Sequence, residues 1–159
     1  MLSHLEVCMI RFSKLTDYAS VILAIIAKKT PEKLSAAQLS EASYIPKPTC
    51  IKLLKLLVRS GVLSSTQGPQ GGYTLAKPAR EISVKKIVEA IEGPTAITKC
   101  GTNEALCRLT DHCSVMEGLR ELNDQVNRLL TMTTLKDLVN PYTLNSQSES
   151  RIALLEVEK

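Results

Sequence analysis

Aromatic residues are scarce in this chain, which has one phenylalanine, four tyrosines and no tryptophan among 159 residues. The hydrophobic fraction of 44% is still enough for a core, which must therefore be mostly aliphatic. No apolar run reaches about 18 residues, which excludes a membrane-spanning helix. Residues 1–10 lack the basic start and apolar centre of a signal peptide. We therefore expect a cytoplasmic protein of one domain, or of one domain with an appendage.

Acidic residues are scarce in the first half of the chain. Residues 11–80 hold eleven Lys/Arg and only three Asp/Glu, whereas residues 81–159 hold nine basic and twelve acidic residues. Such a basic half favours a polyanion as partner, because Lys and Arg contacts with phosphates release counterions. A merely soluble basic surface explains the charge equally well, so the choice depends on the motifs in this half.

The basic half predicts three helices. Ser13 is a candidate N-cap for the first helix, and Ser35 with Gln38 forms a capping box that opens a short second helix. Pro46 can occupy the first turn of a third helix. Two helices joined by a tight turn, of which the second is basic and exposed, are typical of a helix-turn-helix.

The third helix, which ends at Gly61, is the predicted recognition helix. Its inner face is predicted to consist of Ile51, Leu54, Leu57 and Val58. Its outer face carries mostly basic side chains, which can bind phosphates. These outward residues are Lys47, Thr49, Lys52, Lys55 and Arg59.

Residues 62–65 and 73–75 read as two short strands joined by a glycine-rich turn. A hairpin directly after a recognition helix is a wing, and its glycines let the backbone approach phosphates or the minor groove. A hairpin that only closes the domain is the alternative. We predict DNA contacts from the start of the second helix, from the third helix and from the wing, at Ser35, Lys47, Pro48, Thr49, Lys52, Lys55, Arg59, Gly68, Gln70 and Gly71.

After the wing, the sequence predicts two further helices with a cysteine-bearing loop between them. Ser83 can cap a helix that Gly93 and Pro94 end, and residues 114–117 form a second capping box. Apolar residues then recur at spacings of four and three, a heptad seam about two heptads long. The seam favours pairing with a second copy of the chain, and packing on its own domain is the alternative. Its residues are Val115, Leu119, Leu122, Val126 and Leu129.

These patterns predict a mainly α fold with a small β-hairpin, in which a winged helix-turn-helix domain is joined to a long dimerisation helix. The predicted boundaries are residues 9–92 for the winged domain, 93–113 for the cysteine loop, 114–140 for the dimerisation helix and a short terminal helix, and 141–159 for a flexible tail. The expected partners are double-stranded DNA and a second copy of the chain.

Cys100, Cys107 and Cys113 are separated by six and then five residues. These gaps are wider than the two-residue gap of a zinc knuckle and suit a cluster of several metal atoms, for which thiolates are the usual iron–sulfur ligands. A structural zinc or a thiol–disulfide switch is the alternative. Three cysteines leave one ligand position open, and Asp17 in the first helix is a candidate for it. His112 is less favoured, because neighbouring residues rarely direct both side chains at one centre.

Little in the chain supports an enzyme. No general base, cofactor loop or close CxxC pair accompanies the cysteines. Cys50 lies near the apolar face of the third helix, where a free cysteine behaves as a small hydrophobe. We therefore predict a DNA-binding regulator with a metal centre and not a redox catalyst.

Several of these segments resemble the IscR/NsrR family of bacterial winged-helix iron–sulfur transcription regulators. The resemblance lies in residues 11–19, in residues 60–75 with their glycine-rich wing, in the helix of residues 82–93 and in the three-cysteine loop. It implies a homodimer that binds palindromic promoter DNA and senses cluster status, nitric oxide or redox state. Within the family, the chain is most similar to the regulators of SUF iron–sulfur assembly.

The resemblance also implies roles for single residues. The three cysteines of the loop match the ligands of an iron–sulfur cluster, 2Fe–2S or 4Fe–4S, although the first gap is one residue longer than the family pattern. Asp17 matches a carboxylate that, in some members, ligates the cluster of the other subunit. Met116 stands where other members place a histidine ligand, and Ile51 stands where some read a base with glutamate. The operator preference of those members therefore does not transfer to this chain.

Overall fold

The computed structural model describes residues 12–96 and 113–140. Helices and one antiparallel hairpin make up these ranges, so the predicted fold class is confirmed. In chain order the elements are α1 (Lys14–Lys29), α2 (Ala36–Ser43), α3 (Lys47–Arg59), β1 (Leu63–Thr66), β2 (Gly72–Leu75), a 3-10 turn (Ala79–Glu81), α4 (Val84–Glu92), α5 (Met116–Met132) and α6 (Leu135–Val139).

Serine side chains define three of the helix starts, as the sequence predicts. Ser13 accepts a hydrogen bond from the backbone N–H of Thr16 at the start of α1, and Ser83 caps α4 in the same way. At α2 the capping box is complete, because Ser35 and Gln38 each accept a hydrogen bond from the other's backbone N–H. Each cap satisfies amides that have no partner within the helix.

The core is aliphatic, and helices α1 to α3 supply most of it. On α3 the buried stripe consists of Cys50, Leu53, Leu54 and Leu57, which repeat at helical spacing. The predicted inner face is right for Leu54 and Leu57, and Val58 is half-buried and packs against the core. The prediction is wrong for Ile51, which is half-buried at the edge of the stripe and lines an outward groove. The other fully buried side chains of the helix cluster are Ala19, Ile22, Leu23, Ile26 and Leu39.

The wing is attached to the chain segment that precedes α2. Its two strands pair from Leu63 opposite Leu75 to Thr66 opposite Gly72. Leu34 and Tyr73 exchange two backbone hydrogen bonds, of 3.2 and 2.9 Å. A Cβ on Gly72 would lie 2.8 Å from the carbonyl oxygen of Leu34, so this close approach requires glycine.

After α5 the chain returns to the core of the winged domain. Val84 donates its backbone N–H to Thr133, and Leu135 donates to Ile82, both at 2.8 Å. The Leu135 side chain is fully buried in the cluster that α1 and α3 form. The predicted division at residues 113 and 114 stays a prediction, but α6 packs as part of the winged domain.

The start of α5 differs from the prediction. A turn at Ser114 and Val115 precedes the helix, which begins at Met116 with Val115 as N-cap. Val115 has φ −110° and ψ 1°, whereas a side-chain cap requires an extended residue there. The predicted capping box from Ser114 is therefore wrong. Within residues 12–96 and 113–140, no helix is long and apolar enough to cross a membrane.

Candidate nucleic-acid interface and cysteine site

Helix α3 has a basic face opposite its buried stripe. Lys52, Lys55 and Arg59 follow at spacings of three and four, so they lie on one side of the helix. All three are exposed, and no ion pair with another described residue neutralises them. Lys47 begins the helix and is exposed too. Four such cations on one helix form a surface suited to DNA phosphates.

An apolar groove runs along the same face. Pro48, Ile51 and Leu56 line it beside the three cations of that face, and its volume is about 410 Å³. Pro48 is exposed, whereas the other two are half-buried. This groove was not predicted from the sequence, because Ile51 was assigned to the inner face of the helix. The spacing of three between Pro48 and Ile51, on the side of the lysines, was the available signal.

The wing tip is a tight turn that only small residues allow. Gly68 has φ +110°, a conformation that L side chains rarely adopt, and it accepts a 2.9 Å hydrogen bond from the backbone N–H of Gly71. A Cβ on Gly71 would collide with the carbonyl oxygen of Thr66. Gln70, between these glycines, is exposed. The turn therefore presents backbone and one amide side chain at the end of the hairpin.

Two further predicted DNA contacts, Ser35 and Thr49, are half-buried. The Ser35 hydroxyl already accepts the α2 cap hydrogen bond. Thr49 is half-buried in the first turn of α3. Ser35 directly follows Leu34, which pairs with Tyr73 of the wing. The start of α2 and strand β2 of the wing are therefore adjacent. DNA contact at all ten residues stays a prediction.

The predicted metal ligands fall only partly within the described residues. Cys113 is a free, half-buried thiol that lies directly before the turn into α5. Asp17 is exposed in the first turn of α1. Cys100, Cys107 and His112 lie outside the described residues. Within the described ranges, no three His, Cys, Asp or Glu side chains come together as a metal site.

Glu92 joins the end of α4 to the start of α1. Its Oε1 accepts hydrogen bonds from the backbone N–H of Ser13 at 2.8 Å and from the hydroxyl of Thr16 at 2.5 Å. Burial alone would raise the pKa of Glu92, but these hydrogen bonds to the charged form outweigh it and lower the pKa. The carboxylate thus holds the helix that carries Asp17 against the helix that leads into the cysteine segment.

Cys50 has the structural role that the sequence predicts. It is fully buried in the core, and burial raises the pKa of its thiol. Its Sγ lies 3.9 Å from the carbonyl oxygen of Ala36 at the start of α2. A buried thiol of this kind is unreactive and serves to pack α3 against α2.

Relatives with this arrangement are regulators of transcription. The chain is 32% identical over 122 residues to the HTH-type transcriptional regulator IscR of Pectobacterium carotovorum, and the alignment covers 77% of this chain and 73% of that protein. The values are the same for the HTH-type transcriptional regulator IscR of Photorhabdus laumondii. These proteins are not enzymes, and neither is this chain.

The fold and the family agree with the sequence relatives. The solved structure of CymR (YrzC), the global cysteine regulator of B. subtilis, matches with a TM-score of 0.65 at 25% identity, over 82% of this chain and 97% of that one. The family model Rrf2, described as an iron-dependent transcriptional regulator, matches residues 12–141. The resemblance inferred from the sequence is confirmed: the chain belongs to the Rrf2 family of DNA-binding transcription regulators.

Proposed function

We propose that this regulator senses its signal through an iron–sulfur cluster held by Cys100, Cys107 and Cys113. The observation that carries the proposal is the placement of three thiols within residues 100–113, the last directly before the turn into α5. The family description as an iron-dependent regulator supports iron as the metal. Regulated genes would be those of iron–sulfur assembly, such as the SUF system, or of redox and nitric oxide responses.

The residues present suit such a cluster. Cys113 is a free thiol close to the N-terminus of α5, where no described side chain caps the helix and the helix dipole would stabilise an anionic cluster. Asp17 is exposed, and its carboxylate bonds to no described group. We infer that Asp17 of a second copy completes the site as a weak, exchangeable ligand. When bound, the cluster supplies a centre that oxidants and nitric oxide can alter.

The proposed active form is a homodimer on palindromic promoter DNA. Leu122 and Leu129 of α5 are 45% and 52% exposed, and Val115 in the turn before the helix is 59% exposed. The two leucines are seven residues apart and share one side of the helix, which suits a seam against a second α5. Two copies of the basic α3 surface would then bind two half-sites, with a separation that the dimer sets.

Loss of one thiol tests the cluster. Cys107→Ala, purified without oxygen, is expected to lose the visible absorbance together with the bound iron and sulfide, because two cysteines and a carboxylate cannot retain the centre. Cys50→Ala is the matched control, since Cys50 is buried in the core and should leave the spectrum unchanged. A Cys107→Ala protein with the wild-type brown spectrum would overturn the assignment.

The alternative is a DNA-binding protein with a structural zinc or a thiol switch at the same cysteines. The structural neighbour from B. subtilis is described as a global cysteine regulator, which is a reason to test for a thiol switch. About one zinc per chain without iron or sulfide would establish the zinc reading. DNA binding that thiol oxidation changes in the metal-free protein would establish the thiol switch.

A further inference from the structure

The outward face of α3 combines two kinds of surface that serve different purposes on DNA. Lys52, Lys55 and Arg59 are exposed cations, whereas Pro48 and Ile51 line the apolar groove beside them. Cations suffice to hold a helix against phosphates, and their phosphate contacts carry no base preference. An apolar strip on the same face adds nothing to phosphate binding, so we expect it to contact a different part of the DNA.

The position of this strip indicates what it meets. Pro48 and Ile51 lie one turn apart at the beginning of α3, and residues in the first turns of a recognition helix contact base edges in the major groove. Ile51 has no hydrogen-bonding atom in its side chain, and that of Pro48 has none either. Neither residue can therefore read the donors and acceptors of guanine, cytosine or adenine. The apolar feature of the major groove is the 5-methyl group of thymine.

We propose that Pro48 and Ile51 form an apolar contact for a thymine methyl group and so determine a thymine in each half-site. The proposal rests on DNA binding through α3 and deepens it by naming one base. Charge complementarity commits this groove to DNA, because the exposed cations of the same face flank it. In this arrangement the cations fix the helix on the DNA backbone, and the half-buried Ile51 contacts the base from α3.

The test removes one methyl group from the DNA. Full-length protein first selects its preferred duplex from a random pool, and each thymine of that duplex is then replaced singly by deoxyuridine, which keeps all hydrogen-bonding groups. We expect one position per half-site at which binding weakens roughly fourfold, the effect of uncovering about one methyl group. Fluorescence anisotropy measures the dissociation constants at fixed salt.

Variants connect that position to the groove. Ile51→Ala should bind the thymine and deoxyuridine duplexes equally, whereas Ile51→Val should keep most of the preference. Lys52→Ala is the matched control on the same face, and it should weaken binding to both duplexes alike with a shallower dependence on salt. Thermal melts confirm that each variant is folded, and Ile51→Gln provides a second folded variant without the branched apolar side chain.

Each outcome has one meaning. Wild-type binding that is indifferent to deoxyuridine at every position overturns the inference, and so does an Ile51→Ala protein that keeps the preference. In both cases salt-sensitive binding to the selected duplex would persist, so the regulator function would stand. If no duplex is bound in a salt-sensitive way, DNA binding through α3 fails and the inference fails with it.

Discussion

Tyr44 has an unusual backbone conformation and an exposed aromatic side chain. It ends α2 in the left-handed region, with φ 56° and ψ 19°, and the residue is 95% exposed. Glycine is the usual residue at such a position because a Cβ there is unfavourable. The tight turn between the two helices was predicted, but its left-handed residue was not, since tyrosine is not a turn-forming residue. The tight bend between α2 and α3 depends on it nevertheless.

The strain at Tyr44 predicts that a smaller residue stabilises the fold. Tyr44→Gly removes a left-handed penalty of about 1–2 kcal/mol, which the greater freedom of glycine in the unfolded chain offsets by about 0.4–1 kcal/mol. The expected gain in unfolding free energy is about 0.5–1 kcal/mol, measured by urea denaturation. Tyr44→Ala, which keeps a Cβ, should show no such gain. A loss of stability in Tyr44→Gly would mean that the tyrosine ring contributes contacts.

At the scale of elements, local chemistry was predictable and packing was not. The caps at Ser13, Ser35 and Ser83 need only a hydroxyl and an amide a few residues away, so the sequence shows them directly. The glycine-rich wing was predictable for the same reason, since its turn depends on a few adjacent residues. The prediction that Ile51 is on the inner face was wrong because burial depends on which neighbours cover a helix face. The predicted start of α5 was wrong because a turn takes the place of an extended cap residue.

The packing of α6 shows the same limit. A short terminal helix was predicted within residues 114–140, and the structure has it as α6 with Thr134 as N-cap. The sequence did not predict where α6 packs, because α6 follows a long helix whose heptad seam suggested a separate dimerisation unit. Backbone hydrogen bonds to Ile82 and Val84 bring it back to the winged domain, where Leu135 fills the core.

This packing predicts that the winged domain needs its last helix. Leu135→Ala removes a fully buried side chain, so we expect a loss of about 2–5 kcal/mol in the free energy of unfolding. Leu138→Ala on the same helix is the control, because Leu138 is 41% exposed and its truncation should cost less than about 1 kcal/mol. Denaturation followed by circular dichroism compares the two. Equal effects would show that α6 does not belong to the core.

At the scale of the whole molecule, the cysteine segment lies in the chain between two helices that are tied to the winged domain. Helix α4 precedes the cysteine segment and is hydrogen-bonded to α1 through Glu92. Helix α5 follows the segment and is connected to the core through α6. A cavity of about 250 Å³ between α4 and α5 lies where the chain departs towards the cysteines. Under the proposed function, a change at the cysteines would act on the DNA-binding elements through these two connections, α4 with Glu92 and α5 with α6.

The exposed side of α5 predicts that dimerisation and DNA binding fail together. Leu122→Glu places a charge in the middle of the seam, and the loss at such a central position is at least about 2 kcal/mol, roughly a thirtyfold weaker dimer. Affinity for a palindromic duplex should fall as well, because the two recognition helices no longer bind as one unit. Sedimentation equilibrium measures the dimer, and anisotropy measures the DNA affinity.

The matched control for this prediction is Thr131→Glu, which adds the same charge to an exposed position of α5 away from the seam. It should leave both the dimer and the palindrome affinity unchanged. A single half-site distinguishes the causes, since its weak binding depends on one α3 and should survive Leu122→Glu. If the Leu122→Glu protein remains a dimer, the heptad seam is not the interface, and Asp17 would have to reach a partner's cysteines by another contact between subunits.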